Sequence, residues 1–206
     1  YDDFIRLEAD GEYLDTQVFA AVDWAGDGVL DLVGKPYGKN EIHAYRNTGE
    51  RDRNGLPILA KLDVVDFQEI IGPGGQCGAG ALQLIDLAGD GRLSLVAVVR
   101  ELQDKSKYGH IFGPYYDNHI LVFPNTAPAG APPSFGQPDK VRLPDGSPLT
   151  LKGSSGGSLG DWNGDGVWDV MLQETVDSRR AIRLYENTGS NEVPCLVDAG
   201  MLLDGA

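Results

Sequence analysis

In the nonapeptide DWNGDGVWD, oxygen-bearing side chains stand at Asp161, Asn163, Asp165 and Asp169, with Gly166 after the third. Positions 1, 3, 5 and 9 of a tight loop can converge on one point, joined by the backbone carbonyl of position 7, here Val167. That donor set suits Ca²⁺, a hard ion that takes about six to eight oxygens. Glycine at position 6 permits the sharp turn this needs. A helix-flanked calcium loop would carry Glu at position 12, where Leu172 stands. The following VWDVML is β-branched and aromatic, so the loop is read as a corner between strands.

The phrase recurs. Asp23 to Asp31 reads DWAGDGVLD and Asp86 to Ser94 reads DLAGDGRLS, with starts 63 and 75 residues apart along the series. The first copy has Ala25 at position 3 and keeps Asp23, Asp27, Asp31 and the Val29 carbonyl. The second has Ala88 and Ser94 and keeps Asp86 and Asp90, so it is read as a turn held by Gly89 and Gly91 more than as a full ion site. A second marker follows each copy: IHAYRNTG from Ile42, ILVFPNT from Ile120 and IRLYENTG from Ile182. Self-similarity at this period marks a repeat architecture.

The pairing of a D-x-[DN]-x-D-G-x-x-D loop with a strand ending in Asn-Thr-Gly resembles the FG-GAP or VCBS-type repeats of calcium-bearing β-propellers, the class that includes the integrin α-subunit head. The resemblance covers nearly the whole chain. It implies an all-β fold of four-stranded antiparallel blades with calcium loops, about three blades here. It also implies a larger ring of about seven, completed by the same longer chain or another subunit, since three blades cannot close alone. A compact stack of three sheets is the alternative. The repeats are placed at about 18–62, 81–135 and 157–197, with 1–17 and 198–206 assigned to neighbouring blades. IRLEADGEYL and VRLPDGSPL are read as equivalent strands ahead of the first and third loops.

Composition sets limits on partners. The chain has 206 residues, 28 Gly, 12 Pro and a net charge of −14. That charge argues against nucleic acid or an anionic membrane as a partner. No apolar run approaches the ~20 residues of a membrane helix. No signal peptide is visible, and Tyr1 is not an initiator Met, so the start is read as trimmed. Loops short of a full ligand set suit millimolar calcium, hence an extracellular or periplasmic setting. Cys77 and Cys195, 118 residues apart in different repeats, are read as two buried thiols outside any disulfide.

If the acidic loops join strands 1 and 2, the loops joining strands 2 and 3 lie at the other end of each sheet. These are 34–40, 100–118 and 173–180. They carry Lys35, Lys39, Arg100, Lys105, Lys107, Arg179 and Arg180 against five acids, a locally basic face. The long middle loop holds Tyr108, His110, Phe112, Tyr115 and Tyr116, with His119 opening the next strand. Aromatic planes stack on sugar rings, and Arg and Lys pair with carboxylate or sulfate. Lys35, Tyr37, Tyr108, Arg179 and Arg180 are thus the expected ligand-binding set, for an acidic polysaccharide or an extracellular protein. The other reading is that the loop packs onto its own blade. His43, mid-strand, is expected to be a packed or edge residue.

Three functions stay open. One is a calcium-stabilised module binding an anionic glycan or protein, and another is an adhesion or structural repeat. The third, implied by resemblance to propeller-fold lyases, is β-elimination on a uronate polymer. Its candidates are His110, Tyr115, Tyr116 and His119 for proton transfer and Arg100 or Arg179 as neutraliser.

Overall fold

A computed structural model of the chain describes residues 7–68, 76–102, 116–151, 156–176 and 179–202. Among these residues the regular structure is strand with almost no helix. Three antiparallel sheets form in chain order.

The first contains β1 (Glu8–Ala9), β2 (Glu12–Tyr13), β3 (Gln17–Val22), β4 (Asp31–Lys35), β5 (Glu41–Arg51) and β6 (Pro57–Asp66), in the order β2-β1-β6-β5-β4-β3. The second contains β7 (Gln76–Ile85), β8 (Ser94–Leu102), β9 (Tyr116–Phe123), β10 (Asp139–Lys140) and β11 (Thr150–Leu151), with both short strands paired to β9. The third runs β12 (Gly157–Gly160), β13 (Asp169–Val176), β14 (Arg179–Asn187) and β15 (Leu196–Leu202) in sequence order. Each acidic nonapeptide joins two consecutive, hydrogen-bonded strands of its sheet. The strand pairs β3–β4, β7–β8 and β12–β13 place the loops at corresponding ends.

Burial explains the strand sequences. The run Leu95–Val99 in β8 is apolar at every position and buried throughout, because the second sheet is covered on both faces. One shared core joins Trp24 and Val33 of the first repeat, Leu95, Ile120 and Phe123 of the second, and Leu159, Trp168 and Leu172 of the third. Phe67 meets Phe123 edge-on at 6.1 Å between the first two sheets. At the other junction Gly157 leaves little space, since a Cβ there would lie 3.1 Å from Leu172 and 3.3 Å from Val98. The opening strands β3, β7 and β12 lie beside one another.

Two boundaries differ from the sequence reading. The segment before the first loop does not stand apart from the first sheet: Ala9 pairs in parallel with Leu59 on β6, making β1 and β2 an outer hairpin of that sheet. Its counterpart in the second repeat turns at Asp145-Gly146, with Arg142 bridged to Pro148. The third sheet extends to Leu202, past the expected boundary at 197. The second sheet also lacks a single long outer strand. Pro124, Pro128, Pro132, Pro133 and Pro138 lie between β9 and β10, and proline cannot donate to a ladder.

A side-chain amide bridges the second and third sheets. Gln83 Nε2 donates to the Leu159 carbonyl at 2.6 Å, and its Oε1 accepts the Leu159 amide at 3.0 Å and the Ser158 hydroxyl at 3.2 Å. Gln83→Ala removes partners from a half-buried backbone pair. It is expected to lower stability by about 1–3 kcal/mol, read as a reduced urea midpoint with an unchanged m-value.

Candidate functional site

The three acidic loops fold alike. In each, the first Asp accepts backbone amides from positions 5 and 6. Asp23 takes those of Asp27 and Gly28, Asp86 those of Asp90 and Gly91, and Asp161 those of Asp165 and Gly166, at 2.8–3.1 Å. The position 5 Asp then accepts the amide of position 7: Val29, Arg92 or Val167. Gly28, Gly91 and Gly166 all have φ between +82° and +85°, where a Cβ would be strained.

Position 9 does something different. Asp31 and Asp169 are fully buried. Asp169 accepts the Trp162 amide at 2.9 Å and the Asn187 amide at 2.8 Å, while Asp31 accepts those of Ala25 at 3.0 Å and Asn47 at 2.8 Å. Each carboxylate thereby ties the loop to the Asn-Thr-Gly strand. The sequence marked that segment only as a strand end, and the recurrence of its Asn-Thr pair after every loop was the signal of its role. Asn47, Asn125 and Asn187 accept the amide two residues on, from Gly49, Ala127 and Gly189. Thr48, Thr126 and Thr188 donate their hydroxyls to the carbonyls of Ile58, Ser134 and Cys195.

The position 5 carboxylates separate the loops as cation sites. Arg46 Nη2 donates to Asp27 at 2.7 Å, and Arg92 forks onto Asp90 through Nε at 2.8 Å and through Nη2. Each arginine holds its carboxyl below the usual range: for Asp90 it is the leading cause, and for Asp27 it follows the Val29 amide. In the third loop Asp165 receives the uncharged Asn163 side-chain amide at 2.9 Å. At the places of Arg46 and Arg92 this repeat has Glu186 and Val167.

Two of the loops thus hold a guanidinium against the position 5 carboxylate, and the third holds an uncharged amide there. In the third loop too the oxygens point to backbone amides. Among the described residues no three acidic, His or Cys side chains are grouped to hold a metal. Asp161, Asp165 and Asp169 are therefore read first as turn-formers.

The opposite ends of the sheets depart further from expectation. The hairpin β13–β14 continues to Val176 paired with Arg179, so residues 173–176 and 179–180 of the expected loop belong to strands. The β-branched Thr175 and Val176 extend the ladder. Likewise Arg100 pairs with Asn118 and Leu102 with Tyr116, which puts Arg100 and Tyr116 on adjacent strands and not in a loop. Tyr108, His110 and Tyr115 lie outside the described residues.

Lys35 is not a surface cation. Its ammonium donates to the carbonyls of Pro36, at 3.2 Å, and Lys39, and burial lowers its pKa. Tyr37 is 88 % exposed. His119 is buried within β9, out of reach of a polymer. His43 is half-buried in β5 between Glu41, at 2.9 Å, and Tyr45, packed within an interior strand of its sheet, one of the two placements expected. Neither cysteine is in a disulfide; Cys77 is buried and Cys195 half-buried.

Comparison with family models, curated proteins and solved structures finds no match for this chain.

Two outcomes follow from these contacts. Asp169→Ala strands two amides at the loop, and is expected to cost about 2–4 kcal/mol in chemical denaturation, with Asp169→Asn losing less because one acceptor oxygen remains. The second concerns Cys77, whose thiol is pushed up to about 12 by burial, beside Lys35. A raised folded pKa gives stability that is complete below the ordinary value of 9.0 and is lost as pH climbs toward 12. Lys35, shifted down, works in the opposite sense near its own range. Wild type should therefore lose about 1.4 kcal/mol relative to Cys77→Ala between pH 8 and pH 10, measured as the difference of their urea midpoints at the two pH values.

Proposed function

We propose that this chain is part of an extracellular β-propeller, stabilised by calcium in its third loop, that holds an anionic polysaccharide on the sheet ends opposite the acidic loops. The observation that carries this reading is the polarity of the sheets. At one end of all three, the acidic corners are formed by the same set of backbone hydrogen bonds. At the other end stand Arg100 on β8, Arg179 and Arg180 on β14, and the exposed Tyr37 after β4.

Guanidinium groups suit planar carboxylate and sulfate, and an exposed aromatic suits a sugar face. With a net charge of −14, the remainder of the surface repels a polyanion, so binding would be confined to this end. In the third loop the ion would be held by Asp161, Asn163, Asp165 and the Val167 carbonyl. It would supply the positive charge that Arg46 and Arg92 bring to the other loops.

Two titrations test the reading. Added Ca²⁺ should raise the melting temperature by several degrees once well above its Kd. Asp161→Ala with Asp165→Ala should abolish that rise, and Asp90→Ala should leave it intact. Heparin and polygalacturonate should bind and dextran should not, with affinity falling steeply as salt is added. Arg179→Glu with Arg180→Glu should weaken binding by about tenfold or more. A flat melting curve with calcium removes the ion, and equal behaviour toward all three polymers removes the ligand.

A further inference from the structure

Two Asn-Gly dipeptides occur in the chain, Asn54-Gly55 and Asn163-Gly164. Such a pair can react with itself: the glycine nitrogen attacks the asparagine Cγ, and the missing Cβ of glycine leaves the approach open. Both dipeptides lie in exposed turns, and the two glycines have nearly the same φ, +80° at Gly55 and +79° at Gly164. What surrounds the reacting atoms differs.

In the third loop each of those atoms already has a partner. The Gly164 amide, the attacking group, donates to Asp161 Oδ1 at 2.7 Å. Asn163 Oδ1, where negative charge develops as its carbon is attacked, accepts the Asp165 amide at 3.0 Å. Asn163 Nδ2, the group that leaves, donates to Asp165 Oδ2 at 2.9 Å. A carboxylate at the N–H and an amide at the oxygen are the arrangement of a base and an oxyanion donor. Around Asn54 the carboxylate is placed otherwise. Asp52 Oδ1 accepts the amides of Asn54 and Leu56, while the Gly55 amide donates to the neutral Asp52 carbonyl at 3.0 Å. The second loop has the hydrogen bond of the third without its reactant: Gly89 donates to Asp86 at 2.8 Å, but Ala88 precedes it.

We propose that Asn163 is a self-modifying residue, which its own loop converts to aspartate or isoaspartate. The Gly164 nitrogen bonds to Cγ and the Cγ–Nδ2 bond breaks, and the amide proton departs with Nδ2 as ammonia by way of the Asp161 carboxylate. A five-membered cyclic imide remains. Water, the sole co-reactant, then adds to either imide carbonyl, giving aspartate at position 163 or the isomer whose main chain runs through the side-chain carbon. The product exchanges the neutral amide facing Asp165 for a carboxylate, so positions 1, 3 and 5 of the loop all become anionic. One consequence rests on the reading of this loop as a calcium site: with Asp161 and Asn163 engaged as ligands, the reaction slows.

Peptide mapping by mass spectrometry tests this, on the whole chain held in calcium-free neutral buffer and sampled over weeks. The peptide holding Asn163 should gain the mass difference of OH over NH2 about tenfold or more faster than the peptide holding Asn54. In urea the two dipeptides should react at similar rates, because the contacts of the loop are gone. Asp161→Asn keeps an acceptor oxygen beside Gly164 without the charge. It should slow Asn163 by about tenfold and leave Asn54 unchanged, with urea midpoints reporting that the variant folds. The wild-type ratio, folded against unfolded, decides the matter even where the variant does not fold. Equal rates at the two sites of the folded chain, or a ratio that urea does not alter, overturn the proposal. So does a folded Asp161→Asn chain that reacts as fast as wild type. Millimolar calcium should slow Asn163 alone; a rate indifferent to calcium keeps this inference and removes only the ion.

Discussion

The arrangement of the loops depends on a buried carboxylate that accepts two backbone amides from two different connections. A fully buried anion is costly unless hydrogen-bonded, and a charge-assisted bond is about twice as strong as a neutral one. Asp31 and Asp169 meet both conditions. The geometry that satisfies them fixes the distance between the corner after the first strand and the end of the third. Ser94 stands at this place in the second repeat, with neither the charge nor the reach to span the gap. The same repeat has the divided outer edge, where β10 and β11 share β9. Where the clip is present, the third strand runs into an Asn-Thr-Gly turn and a continuous fourth strand.

The clip also changes how the acidic nonapeptide should be read. Alternate oxygens are what a calcium loop needs, and they are equally what a chain needs to fold back on itself without an ion, because Asp caps the amides of a turn. The two uses diverge at position 5. A guanidinium on Asp27 or Asp90 neutralises the corner from within, and at exposed sites such a pair adds little to stability. Its effect is therefore one of vacancy more than of strength: a carboxylate already facing Arg46 or Arg92 offers less to an ion. Asp165 faces an amide, so any selectivity among the three loops arises there.

The corners and the strands around them were legible in the sequence because both rest on local spacing. A nine-residue phrase with two glycines determines its own hydrogen bonds, and VLDLV or VWDVML determines its own strand. What escaped was long-range. Asn187 is 18 residues from Asp169, and nothing in either segment alone states that one amide is the other's partner. The role of Lys35 was missed for a related reason. A lysine between Gly34 and Pro36 reads as a loop cation until the second sheet packs on it and its ammonium turns to the carbonyls of its own turn. Arg179 and Arg180 read as loop residues because the repeat puts a connection after VWDVML, whereas pairing with Val176 and Thr175 draws them into a ladder.

Edge protection separates the two ends of the stack. The outer strand β6 is covered by β1 and carries Lys61, Asp63 and Asp66, the charged pattern that discourages edge pairing. The opening strands β3 and β12 lie beside β7. Faces are harder to protect than edges, because a face needs a partner of matching shape and not merely a charge. In the second sheet both faces are covered, which is why β8 tolerates five apolar residues in a row. In the third sheet Val170 and Leu172 point into the shared core. Glu174 and Asp198 meet Arg183 beside Tyr185 on the half-exposed part of the sheet.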